Sequence, residues 1–363
     1  MPFDVDQTGF GRAALRAQRD RLGVAIWLFA LCGMILVMVT LGGATRLTGS
    51  GLSIMEWAPL RGTLPPLSER EWQRLYSLYQ QIPQYSLVNH GFGLEGFKGI
   101  FWLEWTHRLW GRLIGFAFLV PLVWFAWRGA IGRHLGLRLL GLLALGGLQG
   151  AVGWFMVASG FAADSTAVSP YRLVIHLSLA LTLYAAILWT ALSAWRGVRG
   201  VPGTGGQPGP LQIRLRWVCA AVALTIIAGG FVAGMKAGLT YNTYPLMDGR
   251  LVPDGYLALA PFWRNWTENI AAVQFNHRLL ATMTALLTLS VTGWALYRGG
   301  GPRRALVALG IAVMAQYVMG VVTLLWVVPV SLGTLHQAMA VLVLTAALVA
   351  LHGSAYAGLR PRG

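Results

Sequence analysis

Long stretches without a charged residue constrain the fold of this chain most. About 20 consecutive apolar residues cross the hydrocarbon layer of a membrane as a helix. Runs of about that length without Lys, Arg, Asp or Glu lie at 22–45, 139–163, 173–195, 217–235 and 279–297. A further helix is predicted from Glu104 to Trp127, and the charge-free stretch 305–359 is divided into two helices at Pro329 and Ser331. The sequence therefore predicts an all-α integral membrane protein with eight transmembrane helices.

The distribution of positive charge predicts the orientation of these helices. The net charge of +16 would suit a nucleic-acid ligand, but the arginines cluster before the first predicted helix, in every second connection and after the last helix. Such clusters are typical of cytoplasmic loops in membrane proteins. We therefore expect both termini inside the cell and no nucleic-acid partner, while 56% hydrophobic and 11% charged residues fit the membrane class.

The two halves of the chain repeat each other. Gly42-Gly43 and the following Gly51-Leu52-Ser53 recur at an offset of 187 as Gly229-Gly230 and Gly238-Leu239-Thr240. Because each half holds an even number of predicted helices, both halves start on the same side and form a parallel repeat. We expect a four-helix bundle at 1–196, a Gly/Pro-rich cytoplasmic linker at 197–211 and a second four-helix bundle at 212–363.

Four histidines occupy matching places in this repeat: His107, His176, His277 and His336. Each lies near the predicted outer end of an apolar helix, and histidine within a membrane span is rare and usually functional. The repeat pairs His107 with His176 and His277 with His336, on helices that can face each other diagonally in a bundle. Two axial imidazoles facing each other suit a haem iron, so two haem sites are predicted. A single such histidine would as readily be a core residue bonded to a carbonyl, whereas four in register favour ligands.

One difference between the halves marks their sites. Glu104 lies one helical turn before His107, where the second half has Gln274 before His277. A carboxylate on the same helix face can act as an acid or base, or stabilise a cation, whereas an amide can only hydrogen-bond. The alternative is an interfacial carboxylate paired with an arginine, Arg108 or Arg112.

The arginine that follows the first histidine of each half has two open interpretations. Arg108 and Arg278 are suited to pairing with haem propionates or with lipid phosphates. Spacing alone leaves both interpretations open.

Several motifs resemble the haem A synthase family of cytochrome oxidase assembly proteins. They are GGATRLTGSGLSIMEWAPLRGTLPP at 42–66, EWTHRLWGRLIG at 104–115, FNHRLLA at 275–281 and LHQAMA at 335–340. The likeness extends over all eight predicted helices. Cys32 and Cys219 both lie inside predicted helices, so the chain is similar to the type without a cysteine pair in an outer loop, found in proteobacteria and mitochondria.

The resemblance implies an activity and a role for each site residue. Members of this family oxidise the C8 methyl group of haem O to a formyl group by two successive hydroxylations, for assembly of terminal oxidases. By similarity, His107 and His176 flank the substrate haem O and Glu104 is the catalytic carboxylate. His277 and His336 would hold haem b as a resident cofactor.

The resemblance and the charge pattern also set expectations for surroundings and partners. We expect a bacterial inner membrane with the haem sites toward the periplasmic side. The expected partners are membrane lipid, an unidentified electron donor, haem O synthase and oxidase assembly factors, and exposed apolar faces permit a homo-oligomer. The alternative is a dihaem b-type membrane cytochrome that only transfers electrons; a transporter ranks last.

Overall fold

The computed structural model describes residues 7–58, 61–198, 207–299 and 301–355, with side chains from Leu15 onward. This part of the chain is helical apart from its connections, which confirms the predicted all-α class. It contains eight helices long and apolar enough to cross a membrane. The eight are α1 (Gln7–Leu47), α4 (Leu94–Trp127), α5 (Arg133–Ala158), α6 (Pro170–Val198), α7 (Pro210–Gly234), α9 (Ile270–Tyr297), α10 (Arg303–Leu325) and α11 (Val330–Ser354). Short helices α2 (Glu69–Tyr79), α3 (Pro83–Leu87) and α8 (Asn265–Glu268) lie in the connections.

The start of α4 differs from the prediction. This helix begins at Leu94 rather than at Glu104, so His107 lies more than three turns inside it. The prediction relied on charge-free runs, and this extension contains the charged residues Glu95 and Lys98. They form a surface ion pair, with Lys98 Nζ 2.7 Å from Glu95 Oε1. The predicted division of the last charge-free stretch near Pro329 is confirmed, because α10 ends at Leu325 and α11 begins at Val330.

The helices of each half pack as a ring of four. In the first half α1 packs along α4 and α6, and α5 packs along the same two helices, so α4 and α6 are diagonal partners. In the second half α7 and α10 both pack along α9 and α11, which makes α9 and α11 diagonal partners. The halves meet through α1 and α6 on one side and α7 and α11 on the other. The predicted linker lies largely outside the described residues, between the end of α6 and the start of α7.

The connection after α1 folds over the N-terminal end of α4. This connection contains the amphipathic helix α2, in which Trp72, Leu75 and Tyr79 are buried. Their apolar faces pack on Phe97 and Phe101 in the first turns of α4. This burial explains why α4 starts early, because the extension gains an apolar partner outside the transmembrane part.

Candidate functional site

The four histidines lie in two pairs, one within each ring of helices. His107 of α4 and His176 of α6 are close enough for a direct electrostatic interaction, and so are His277 of α9 and His336 of α11. In each pair the imidazoles come from diagonal helices and pack against the helices that lie between them in the ring. All four residues keep some accessible surface. Free space therefore adjoins each of these residues.

A glycine on a neighbouring helix makes room for each imidazole. A Cβ added at Gly42 would lie 3.0 Å from Nε2 of His107, and one added at Gly153 would lie 2.9 Å from Cε1 of His176. Such distances are shorter than normal contacts of a Cβ atom, so a larger residue at either position would require the imidazole to shift.

The second half repeats these glycine contacts. A Cβ added at Gly229 would lie 3.0 Å from Cε1 of His277, and one added at Gly320 would lie 2.8 Å from Cε1 of His336. Gly229 corresponds to Gly42 at the offset of 187, and Gly320 corresponds to Gly153 at an offset of 167. The four imidazole rings are thus seated in equivalent notches.

A glutamine on the third transmembrane helix of each half holds the second histidine of that half. Gln149 Nε2 donates to the backbone carbonyl of His176 at 3.1 Å and lies 3.1 Å from its Nδ1. Gln316 Nε2 donates to the carbonyl of His336 at the same distance of 3.1 Å. These contacts tie the third transmembrane helix of each half to the helix that carries the second histidine.

Glu104 is buried and anchors the connection after α1. Its Oε2 accepts hydrogen bonds from the Ser53 amide at 2.7 Å, the Ser53 hydroxyl at 2.7 Å and the Ile54 amide at 3.0 Å. Its Oε1 accepts from Arg108 Nη2 at 2.6 Å and Nε at 3.0 Å. Arg108 also donates to the carbonyls of Ile54 and Glu56. The structure therefore contains the carboxylate–arginine pair that was the alternative for Glu104.

We call the Glu104–Arg108 pair, with its hydrogen bonds to the loop, a clamp. The second half has a corresponding clamp in Gln274 and Arg278, but the hydrogen bonds between Gln274 and its loop include donation in the opposite direction. Arg278 donates to Gln274 Oε1 at 2.9 Å and to the carbonyls of Tyr241 and Thr243, the counterparts of Ile54 and Glu56. Gln274 Nε2, however, donates to the carbonyls of Ala237 and Thr240, at 2.8 and 2.5 Å. The first loop presents N–H groups to its side chain, whereas the second loop presents carbonyl oxygens.

Both arginines donate to two carbonyls of these loops as well as to the side chain one turn before them. Arg108 also lies over the ring of Trp154, with its guanidinium carbon 5.8 Å from the ring centre. The ring of Trp57 stacks on Trp154 at 6.0 Å, so two aromatic side chains cover this clamp. The interpretation of Arg108 and Arg278 as partners of haem propionates or of lipid phosphates stays a prediction.

The remaining histidines lie apart from these pairs. His352, near the end of α11, is buried, packs edge-on against Trp189 and lies 3.1 Å from the Ser193 hydroxyl. His90 lies in the connection between α3 and α4, and His134 lies in the first turn of α5. None of these three described residues joins a paired site.

The donor set fits a haem better than a bare metal ion. Among the described residues, no group of three or more His, Cys, Asp or Glu side chains surrounds a common point. Two axial imidazoles suit an iron whose other ligands are supplied by a macrocycle. Nδ1 of His277 and Nδ1 of His336 are buried without a hydrogen-bond partner, so each ring keeps a nitrogen that the protein does not satisfy. These observations are compatible with haem ligation by the pair.

Comparison with known proteins identifies the family. The model of the cytochrome oxidase assembly protein family matches residues 25–348, which include all eight transmembrane helices in part or in full. The chain belongs to the cytochrome oxidase assembly protein family.

Relatives within this family are similar over nearly their whole length. A heme A synthase of Granulibacter bethesdensis is 62% identical over 351 residues, covering 96% of this chain and 92% of the relative. Heme A synthases of Nitrosospira multiformis and Rhodospirillum centenum are 47% and 50% identical, covering 91% and 90% of this chain and 92% and 86% of the relatives. The resemblance predicted from the sequence motifs is thereby confirmed.

Several residues of the sites in this family member were not predicted from the sequence. The loop residues Ser53 and Ile54 bind Glu104, and Gln149 and Gln316 hold the second histidines. Both glutamines recur at the same place in the two halves of the sequence, which was the available signal. The donors of Ser53 and Ile54 are largely backbone groups, which side-chain patterns do not reveal.

Proposed function

We propose that this chain is a haem A synthase, which converts haem O to haem A. The similarity to heme A synthases over more than nine-tenths of the chain carries this proposal. The substrate is a haem whose C8 methyl group is oxidised to a formyl group. Two interior histidine pairs within one membrane protein supply the two haem sites that such an enzyme needs, one for substrate and one for cofactor.

We assign the two sites by the residue one turn before each first histidine. His107 and His176 flank the substrate haem O, and Glu104 is the catalytic carboxylate of that site. His277 and His336 hold haem b, which supplies reversible one-electron redox chemistry when bound. The uncharged Gln274 in the second site, against Glu104 in the first, supports this division.

The chain's own groups suggest how the first site works. Glu104 and Arg108 form a pair with side chains 3% and 17% exposed, so the pair places strong, fixed charges beside the imidazole of His107. A fixed carboxylate in a site of low dielectric stabilises positive charge that develops near it. The clamp also holds the connection 53–56 over the site, which excludes water from the reacting methyl group.

We propose that the protein lies in a bacterial inner membrane with both sites toward the periplasm. The arginine-rich connections would then face the cytoplasm. Membrane lipid, an electron donor, haem O synthase and oxidase assembly factors remain the expected partners, and a homo-oligomer remains expected on the exposed apolar helix faces.

The deciding experiment is pigment extraction after co-expression of the full chain with a haem O synthase. We expect haem A in the extract. A chain that binds haem stably but yields only haem O and haem b would instead support the dihaem cytochrome that transfers electrons.

The resident-cofactor assignment has its own test. His277→Ala is expected to remove the haem b signal from the reduced-minus-oxidised spectrum, because one axial ligand is lost. His352→Ala is a matched control, since that histidine lies outside both pairs. An unchanged spectrum for His277→Ala would contradict the assignment.

A further inference from the structure

Two consecutive glycines of α1 face different halves of the molecule. Successive residues of an α-helix are rotated by about 100°, so Gly42 and Gly43 point in different directions. Gly42 receives the ring of His107 within its own half. A Cβ added at Gly43 would lie 2.5 Å from Oε1 of Gln337, which belongs to α11 of the other half.

The helix α7 repeats this arrangement. Gly229 receives the ring of His277 in its own half. A Cβ added at Gly230 would lie 3.1 Å from Val174 and 3.2 Å from Leu177, both in α6 of the first half. Each pair of consecutive glycines therefore forms what we call a joint. Its first glycine contacts a histidine of the same half, and its second glycine contacts a helix of the other half.

The side chains seated on the second glycines occupy equivalent positions. Gln337 directly follows His336, and Leu177 directly follows His176. The two joints differ in chemistry, because Gln337 Nε2 donates to the Val39 carbonyl of α1 at 3.1 Å, whereas Leu177 can only make van der Waals contact. Of these two joints, the one between α11 and α1 therefore depends on the direction of a hydrogen bond.

We propose that Gln337 is a positioning residue that couples the second histidine site to the first. Its amide fixes the register of α11, which carries His336, against α1, whose glycine receives His107. The Gln337 amide is partly buried, and loss of its hydrogen bond would be costly, so this bond holds α1 and α11 in one register. A change at Gly43 is therefore transmitted to His336, although Gly43 belongs to the other half. This inference rests on the proposed function, because bound haem is its reporter.

The test measures the haem of the second site alone. In a His107→Ala background of the full-length chain, the visible spectrum and midpoint potential report haem held by His277 and His336. We expect Gly43→Ala to change the ratio of reduced to oxidised haem several-fold at a fixed applied potential. Gly42→Ala is the matched control, since its methyl group faces the truncated position 107, and it should leave the ratio unchanged.

Two further variants separate positioning from a general loss of packing. Gln337→Met keeps the length of the side chain but removes its donor, and we expect it to change the potential while the haem remains bound. In a Gln337→Ala background, Gly43→Ala should have no further effect, because the collision partner is gone.

The outcomes that would overturn the proposal are specific. They are equal effects of Gly42→Ala and Gly43→Ala, a wild-type potential in Gln337→Met, or a Gly43→Ala effect that persists in the Gln337→Ala background. Should Gly43→Ala prevent folding, Gln337→Met alone decides. Absence of haem from the His107→Ala chain would contradict the proposed haem b site instead.

Discussion

Replacement of Glu104 by glutamine tests whether the carboxylate also holds the connection after α1 in place. Oε2 of Glu104 accepts three hydrogen bonds from Ser53 and Ile54, and Oε1 accepts two from Arg108. A glutamine has one oxygen, so its NH₂ group must face the donors of the loop or the donors of the arginine. Glu104→Gln therefore removes the hydrogen bonds of one side and sets donor against donor.

The cost of this change follows from the burial of the pair. The Glu104 side chain is 3% exposed and that of Arg108 is 17% exposed, so the values for surface ion pairs do not apply. Breaking a buried pair costs about 3–5 kcal/mol. We expect this cost to appear as opening of the loop, because the loop is held less firmly than the transmembrane helices.

Amide hydrogen exchange of the purified protein measures this opening. Since about 1.4 kcal/mol corresponds to a tenfold change in an equilibrium constant, the amides of Ser53 and Ile54 should exchange at least about 100-fold faster in Glu104→Gln. The matched control is Gln274→Glu, which turns a carboxylate toward the carbonyls of Ala237 and Thr240 and should loosen only the second loop. Unchanged exchange at residues 53 and 54 in Glu104→Gln would refute the clamp.

Two other predictions concern the glycines that contact the histidine rings and the ion pair between Arg74 and Glu56. Gly320→Ala should reduce haem binding at the second site and Gly153→Ala at the first, because each new methyl group would meet an imidazole below 3 Å; haem content per chain is the measurement. Arg74 lowers the pKa of the exposed Glu56 carboxyl, chiefly by hydrogen bonding, from its ordinary value of 4.5. The pair should therefore stabilise the connection by up to about 1 kcal/mol at neutral pH, and this stabilisation should be lost as the pH falls through the lowered pKa. The chemical shift of the Glu56 carboxyl carbon, followed as the pH is lowered, reports this titration, and its midpoint should rise in Arg74→Gln.

The number of transmembrane helices could be predicted because it depends on long-range composition. Charge-free runs mark segments that can replace water by lipid, and the observed helices overlap every predicted run. The start of α4 could not be predicted in this way. Its first turns contain Glu95 and Lys98, and its helical state depends on burial of Phe97 and Phe101 under α2, which is a tertiary contact.

The pairing of the histidines was also within reach of the sequence, because the repeat relates one pair to the other. The hydrogen-bond polarity of the two clamps could not be predicted from the sequence. Whether a loop presents N–H groups or carbonyls depends on backbone direction at Ser53 or Thr240, and these two residues have nearly the same side-chain chemistry. The difference between Glu104 and Gln274 was visible, but its complement in the loops required the structure.

The inverted polarity allows the structural role of Glu104 to be separated from its proposed chemical role. A loop that presents carbonyls accommodates a glutamine, as the second half demonstrates with Gln274. Transplanting residues 237–243 in place of 50–56 should therefore restore slow exchange in a Glu104→Gln chain, because the amide then finds acceptors. If Glu104 acts in the chemistry, this restored chain still makes no haem A. Recovery of haem A together with the loop would show that the carboxylate serves only as an anchor, so the two measurements on one variant distinguish the roles.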